Sequence, residues 1–239
     1  MRLNKYISET GICSRREADT WIDDGRVTIN GLRANVGTQV EAGDVVKVDG
    51  HTIKIRQQKH VYIALNKPVG ITCTSESHIK DNIVSFVGHD QRIFPIGRLD
   101  KESDGLILLT SDGDIVNTIL RSEHNHEKEY IVTVNKTISN EFVTKMARGV
   151  RILDTVTKRC KVQMINKYTF RITLTQGLNR QIRRMCEAFG YRVCRLQRVR
   201  IINIRLGHLK IGHWRNLTKV ELAGLLPNKN HSVSSKKGL

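Results

Sequence analysis

The sequence predicts an α+β fold in two domains: a small helix–helix–sheet module over residues 1–56, then a mixed, mostly antiparallel-sheet domain over 61–227. Three observations predict it. Beyond residue 60, strand-patterned segments outnumber helical ones and do not alternate regularly with them, which disfavours a doubly wound parallel sheet. The stretch from Arg56 to His60 is polar and aperiodic, so the linker is placed at 57–60. The charge is also uneven: residues 1–58 hold 9 basic and 8 acidic residues, whereas residues 177–215 hold 10 basic residues and the single acid Glu187. A chain of 239 residues has room for both cores.

The elements follow in order. Leu3, Tyr6 and Ile7 share one face of a short first helix. Ser14-Arg15-Arg16-Glu17 is a capping-box pattern opening a second helix, with Ala18, Trp21 and Ile22 as its apolar stripe and Gly25 as its stop. Val27-Thr28-Ile29, Asn30-Gly31 and Leu32 read as a hairpin with a tight turn. Val45 to Val48 and Ile53 to Ile55 are expected as strands across Asp49-Gly50.

In the second domain, Val61 to Leu65 is a strand ended by Lys67-Pro68. Ile93 to Ile96 and Leu106 to Leu109 are apolar runs on either side of a loop. Ile115, Val116, Ile119 and Leu120 mark a helix, Glu129 to Val134 alternates as a strand, and Ser139 with Glu141 opens a helix carrying Phe142, Val143 and Met146. Phe170 to Leu174 is a strand, Asn179 to Phe189 a helix ended by Gly190, and Val193 to Leu206 a basic strand region. Thr218 and Glu221 form a second capping box for a last helix to Leu226. From Asn228 the tail is polar and basic, and disorder is expected over 228–239.

The formal charge of +17 points to a polyanionic partner, with nucleic acid the default. Five cysteines at irregular spacing, without C-x-x-C, read as reduced thiols rather than a zinc site. No apolar stretch follows Arg2 as a leader would, and none approaches membrane-spanning length, so a cytoplasmic protein is expected. Phosphate-loop and dinucleotide fingerprints are absent, and His124-Asn125-His126 has no further ligands spaced to complete a metal site.

Gly97-Arg98-Leu99-Asp100 places an acid in the loop between two apolar strands, where a scaffold can hold a reactive group. On a helical wheel of about 100° per residue, Ile182, Met185, Cys186 and Phe189 form the buried stripe of the later helix, Arg180 and Arg184 point away, and Arg183 lies at the border. Arg183 is therefore the arginine suited to pair with an acid inside the fold. Beside Asp100 it would keep the carboxylate ionised and nucleophilic; spacing alone also allows a structural ion pair. Tyr130 leads a strand, where a tyrosine serves either as core packing with a bonded hydroxyl or as a platform for a base.

Together these pieces resemble the ribosomal RNA pseudouridine synthases of the RsuA branch, closest to the RluF type. The first domain resembles an S4 RNA-binding module through Arg2 to Tyr6, Ser14 to Ala18 and Gly25 to Gly31. The second resembles the catalytic domain through Leu65 to Gly70, Gly97 to Asp100, Lys128-Glu129-Tyr130 and Asn179 to Met185. The resemblance implies isomerisation of uridine to pseudouridine with no cofactor and no metal. It implies Asp100 as the attacking aspartate, Tyr130 as the residue stacking on the flipped uracil and taking part in proton transfer, Arg183 as the partner of the aspartate, and Arg98 as a residue holding the base out of its helix. Where other members of the branch carry a histidine, this chain has Arg180.

The expected partner is ribosomal RNA, specifically a 23S stem-loop, with tRNA as a second substrate; no membrane is involved and a monomer is expected. RNA contacts are assigned to Lys5, Arg15, Arg16 and Arg26 in the first domain, and to Lys67, Arg98, Arg180, Arg184, Arg195 and Arg198 in the second. Arg192, Arg200 and Arg205 extend this basic run. A non-catalytic S4-type RNA-binding or ribosome-assembly factor is the alternative.

Overall fold

The computed structural model describes residues 1–55, 59–76, 78–120 and 126–225, and divides into two compact units, Met1–Lys59 and His60–Leu239. Residues 57 and 58 of the linker, the His124-Asn125 pair and the tail from Asn228 lie outside the described residues.

In the first unit, α1 (Leu3–Glu9) and α2 (Arg15–Asp23) precede the strands β1 (Val27–Ile29), β2 (Leu32–Arg33), β3 (Val46–Val48) and β4 (His51–Thr52). The strands form an antiparallel sheet in the order β2-β1-β3-β4. The capping box forms as the spacing requires: the Glu17 amide donates to Ser14 Oγ at 3.1 Å and the Ser14 amide to Glu17 Oε2 at 2.7 Å. Leu3, Ile7, Ala18 and Ile22 meet Val27, Val46 and Val48 in one core. Asn30-Gly31 and Asp49-Gly50 both take positive φ at two successive residues, the geometry of a two-residue hairpin turn. The turn at Asp49-Gly50 moves the last strand: it starts directly after Gly50, at His51–Thr52, rather than at Ile53 to Ile55.

The second unit is built on a nine-stranded sheet. Its strands are β5 (Tyr62–Lys67), β6 (Phe94–Ile96), β7 (Asp104–Thr110), β8 (Lys128–Val134), β11 (Lys161–Asn166), β12 (Thr169–Leu174), β13 (Val193–Ile201), β14 (Ile204–Arg205) and β15 (Trp214–Asn216); a separate hairpin pairs β9 (Arg151–Ile152) with β10 (Thr155–Val156). The order is β11-β12-β8-β13-β7-β5-β15, with β14 on β13 and β6 on β7, and only the β7–β13 pairing is parallel.

The helices are α3 (Ile83–Val87), α4 (Gly113–Leu120), α5 (Asn140–Arg148), α6 (Gln181–Glu187) and α7 (Lys219–Leu225). Alternation along β5 and β7 divides the core. Ile63, Leu65, Ile107 and Leu109 join Phe142, Ile182 and Met185, whereas Ala64, Leu106 and Leu108 join Ile115, Ile119 and Leu225. The central sheet is thus covered on both sides, and every residue of β7 is buried. Gly105 permits the parallel contact: at φ +105° it lies opposite Arg198, and a methyl group there would overlap the Arg198 carbonyl.

Candidate active site

A cavity of about 510 Å³ opens in the second unit, lined by residues 96–100 and 174–183, with Lys128, Tyr130, Leu196 and Arg198 among its other walls. Asp100 lies in the loop between β6 and β7. Gly97, at φ +77°, starts that loop at a place where a Cβ would stand 2.9 Å from Leu120 Cδ2.

Nearly every residue around Asp100 is tethered. The Arg98 carbonyl accepts from Arg198 Nη1 at 3.3 Å, the Leu99 amide donates to Cys73 Sγ at 3.4 Å, and the Lys101 carbonyl accepts from the Gly70 amide at 2.8 Å. Arg183 Nη2 donates to the Glu102 carbonyl at 3.3 Å and to Ser103 Oγ at 3.0 Å. Within the loop, the Ser103 amide closes a turn onto the Asp100 carbonyl at 3.0 Å. The carboxylate itself keeps about a third of its surface exposed.

Arg183 is where the helical wheel puts it, on α6 beside the buried Ile182, Met185 and Cys186. It is only 8% exposed. Its Nε has no hydrogen-bond partner and lies 3.8 Å from Asp100 Oδ2, an ion-pair distance that leaves the donor unsatisfied. Tyr130 is partly buried on β8, in register with Ile172 on one side and Arg198 on the other. Asp100, Tyr130 and Arg183 therefore face one cavity, together with Arg98 and Arg180.

The RNA-contact assignments fare unevenly. Arg15 and Arg16 are exposed on α2, and Arg98 is exposed at the cavity. Lys5 pairs with Glu9 at 3.4 Å, and Arg26 lies over the Trp21 ring with its guanidinium on Asp49. Arg184 folds back on Asn179, with Nε 3.2 Å from the backbone carbonyl and Nη2 3.2 Å from Oδ1. Arg180 is not on α6 at all: it is the N-cap residue, at φ 49° and ψ 33°, and its Nη1 donates to Glu102 Oε2 at 2.9 Å.

Two assignments are overturned. Lys67 is fully buried, and its Nζ donates to the carbonyls of Pro68 and Ile71 at 2.8 and 2.9 Å, so it braces the turn after β5 and meets no phosphate. Burial also pushes its pKa below the usual lysine value. Arg198 is 3% exposed; its Nε donates to the Leu106 carbonyl at 2.6 Å and its Nη2 has no partner. The basic strand is likewise not a free cationic edge. Arg195 is exposed but holds the buried Asp104 at 2.9 Å, and Arg200 bonds Glu127 and Glu129 at 2.9 and 3.1 Å.

Lys128 is a cavity residue that sequence reasoning left out of the site. Burial lowers its pKa, and its Nζ reaches the His126 carbonyl at 3.4 Å. The signal was available, because Lys128 is two residues from Tyr130 and so shares its face of the strand.

The family model described as RNA pseudouridylate synthase matches residues 61–188, and the S4 domain model matches residues 1–46. Over 238 residues the chain is 58% identical to the dual-specificity RNA pseudouridine synthase RluF of Escherichia coli K12, spanning 99% of this chain and 82% of that one. It is 34% identical over 243 residues to the ribosomal large subunit pseudouridine synthase B of Bacillus subtilis strain 168, with 98% and 99% of the two chains covered. A crystal structure of a pseudouridylate synthase superimposes with a TM-score of 0.69 at 29% identity, over 95% of this chain and 100% of that one.

Proposed function

As a member of the RNA pseudouridylate synthase family, to which this chain belongs, it isomerises uridine to pseudouridine in RNA, and we propose that Asp100 is the nucleophile of that reaction. The observation that carries this reading is the unsatisfied Arg183 Nε, buried 3.8 Å from a carboxylate that is itself open to the cavity. The cavity volume lies within the roughly 300–1,000 Å³ of small-molecule sites, enough for one extruded nucleotide.

The target uridine leaves its stack, at a cost on the order of a few kcal/mol offset by contacts to neighbouring phosphates. Tyr130 stacks on the extruded base. Asp100 forms a transient covalent bond to the nucleotide, the C1′–N1 bond breaks, the base turns, C1′ bonds to C5, and the bond to Asp100 breaks again to return the free carboxylate. C5 gives up its proton and N1 takes one, so no atom is gained or lost. Arg183 holds the carboxylate in place through a planar, permanently charged side chain, while its Nη2 fixes the loop that carries Asp100. Arg98 and Arg180 meet the backbone beside the flipped nucleotide, and Arg15 and Arg16 meet RNA from the S4 unit.

The substrate is ribosomal RNA, a large-subunit 23S stem-loop, with tRNA as a second class. The relative named for the ribosomal large subunit and the relative named for dual specificity support the two classes. In this reading the protein acts as a cytoplasmic monomer.

The test incubates purified protein with unmodified 23S rRNA and tRNA transcripts and maps carbodiimide-adduct stops. New stops with the wild type and none with Asp100→Asn are expected. A stop that persists in Asp100→Asn would remove Asp100 from its role. Release of free uracil would replace the isomerase by a glycosidic hydrolase.

A further inference from the structure

Arg180 lines the cavity just ahead of α6, and its side chain reaches Glu102, two residues beyond Asp100 in the same loop. Their side chains meet at 2.9 Å while remaining 39% and 60% exposed, so this pair ties a cavity-lining arginine to the Asp100 loop at the water interface. A guanidinium takes a carboxylate or a phosphate through the same planar donor fork. We propose that Glu102 is an internal competitor for RNA phosphate: it holds Arg180 until the backbone beside the flipped nucleotide displaces it. This inference rests on the RNA reading of the site.

Three features favour an exchangeable pair over a structural one. Both partners are exposed, and such pairs hold by a few-fold at most, which a phosphodiester drawn in by a strongly basic chain can overcome. The neighbouring pair is built differently: Arg183 is buried and fixes the same loop through the Glu102 carbonyl and Ser103, so the loop stays anchored when Glu102 lets go. Arg180 itself is fixed at the backbone, where its carbonyl accepts the Arg184 amide at 3.0 Å, so releasing its side chain leaves the first turn of α6 intact. The hydrogen bond from Arg180 is also the main cause holding the Glu102 carboxylate below its usual range, consistent with an ionised competitor.

A competitor of this kind subtracts equally from substrate, transition state and product, because all three carry the same phosphates. It sets affinity and leaves the chemical step alone. The experiment titrates a fluorescein-labelled unmodified 23S rRNA stem-loop with wild type, Glu102→Gln, Arg180→Ala and the double variant at several salt concentrations. Single-turnover rates are measured on the same RNA. Glu102→Gln is expected to bind up to about fivefold tighter, with the wild-type salt slope and the wild-type rate at saturating RNA. Arg180→Ala is expected to bind more weakly, with the slope of log K against log salt reduced by about 0.7–0.9. The double variant should match Arg180→Ala.

Unchanged or weaker binding by Glu102→Gln would overturn the proposal. So would a gain that survives in the Arg180→Ala background, since it would then come from removing a negative charge and not from freeing Arg180. If the wild type binds no RNA, the RNA reading itself fails; if it binds and Glu102→Gln matches it, only the competitor fails.

Discussion

The segment around α6 and strand β13 are the two arginine-rich stretches of the chain, and the fold uses their charge in different ways. On α6, the 3.6-residue period turns Ile182, Met185 and Cys186 into the core, carries Arg183 in beside them, and leaves Arg184 outside. On β13, Arg198 goes inward with Leu196 and Ile201, while the acids of neighbouring strands take the others: Asp104 of β7 holds Arg195, and Glu129 of β8 with the adjacent Glu127 holds Arg200. The same density of positive charge therefore leaves cations at the cavity near α6 and a largely neutralised surface along β13. A run of arginines in a strand says little about free charge until the strands beside it are known. Each segment also sends one arginine to the Asp100 loop, Arg183 to residues 102 and 103 and Arg198 to residue 98, but only Arg183 presents an open donor 3.8 Å from the carboxylate.

That contrast can be broken most sharply at the two buried arginines. Arg183→Ala should lower single-turnover pseudouridine formation by roughly 10²–10³-fold while stem-loop affinity stays within a few-fold, because the lost group acts on the reacting carboxylate. Equal loss of binding and rate would make Arg183 an RNA contact. Arg198→Ala should act first on stability. The Leu106 and Arg98 carbonyls would lose their donor inside the protein, at about 2–4 kcal/mol, readable as a lower urea midpoint with the slope unchanged. A fully stable Arg198→Ala with weakened RNA binding would return β13 to the surface role that its sequence suggests.

The same division explains how far the sequence could be read. Features closed by neighbours in the chain were legible: the capping boxes at Ser14/Glu17 and Thr218/Glu221, the Asn30-Gly31 turn, and the inward lean of Arg183. Each depends on residues one to four positions apart. Helix α3 was missed although its signals were local, an Asn82 cap bonding the Ser85 amide at 2.8 Å and a left-handed Gly88; five residues are too few for a period to stand out. Strand β15 carries no such signal, since its three residues are a strand only because β5 lies alongside. The misreading of Arg198 has a distinct cause. Its partners are backbone carbonyls 92 and 100 residues away, and no carbonyl advertises itself in a sequence. The helix expected from Asn179 begins two residues later, at Gln181, so the left-handed N-cap at Arg180, not the wheel angle, decides where that side chain starts.

A smaller test of the contrast uses the exposed member of β13. Arg195→Ala should leave stem-loop affinity and its salt slope within about twofold of wild type, because this guanidinium is already held by Asp104. It should cost about 1 kcal/mol of stability, since the buried Asp104 would retain only the amide of Gln197 at 3.0 Å. A tenfold loss of affinity with a shallower slope would mean that RNA draws Arg195 away from Asp104, and the two segments would then differ less than their geometry implies.

The smallest expected effect concerns the neutralising acids themselves. The hydrogen bond from Arg200 is the main reason the Glu127 carboxyl titrates below its ordinary 4.5. A carboxyl depressed in the folded state binds its proton more readily when unfolded, so its contribution is complete above about pH 4.5 and disappears as pH falls through the lowered folded value. Glu127→Gln should therefore melt slightly below wild type near about pH 7, by no more than about 2–4 °C given the exposure of the Glu127 carboxylate. The gap should close on acidification below about pH 4.5. A gap of constant size across that range would assign the loss to side-chain packing, and the neutralisation of β13 would then rest on Glu129, the more buried of the two acids on Arg200.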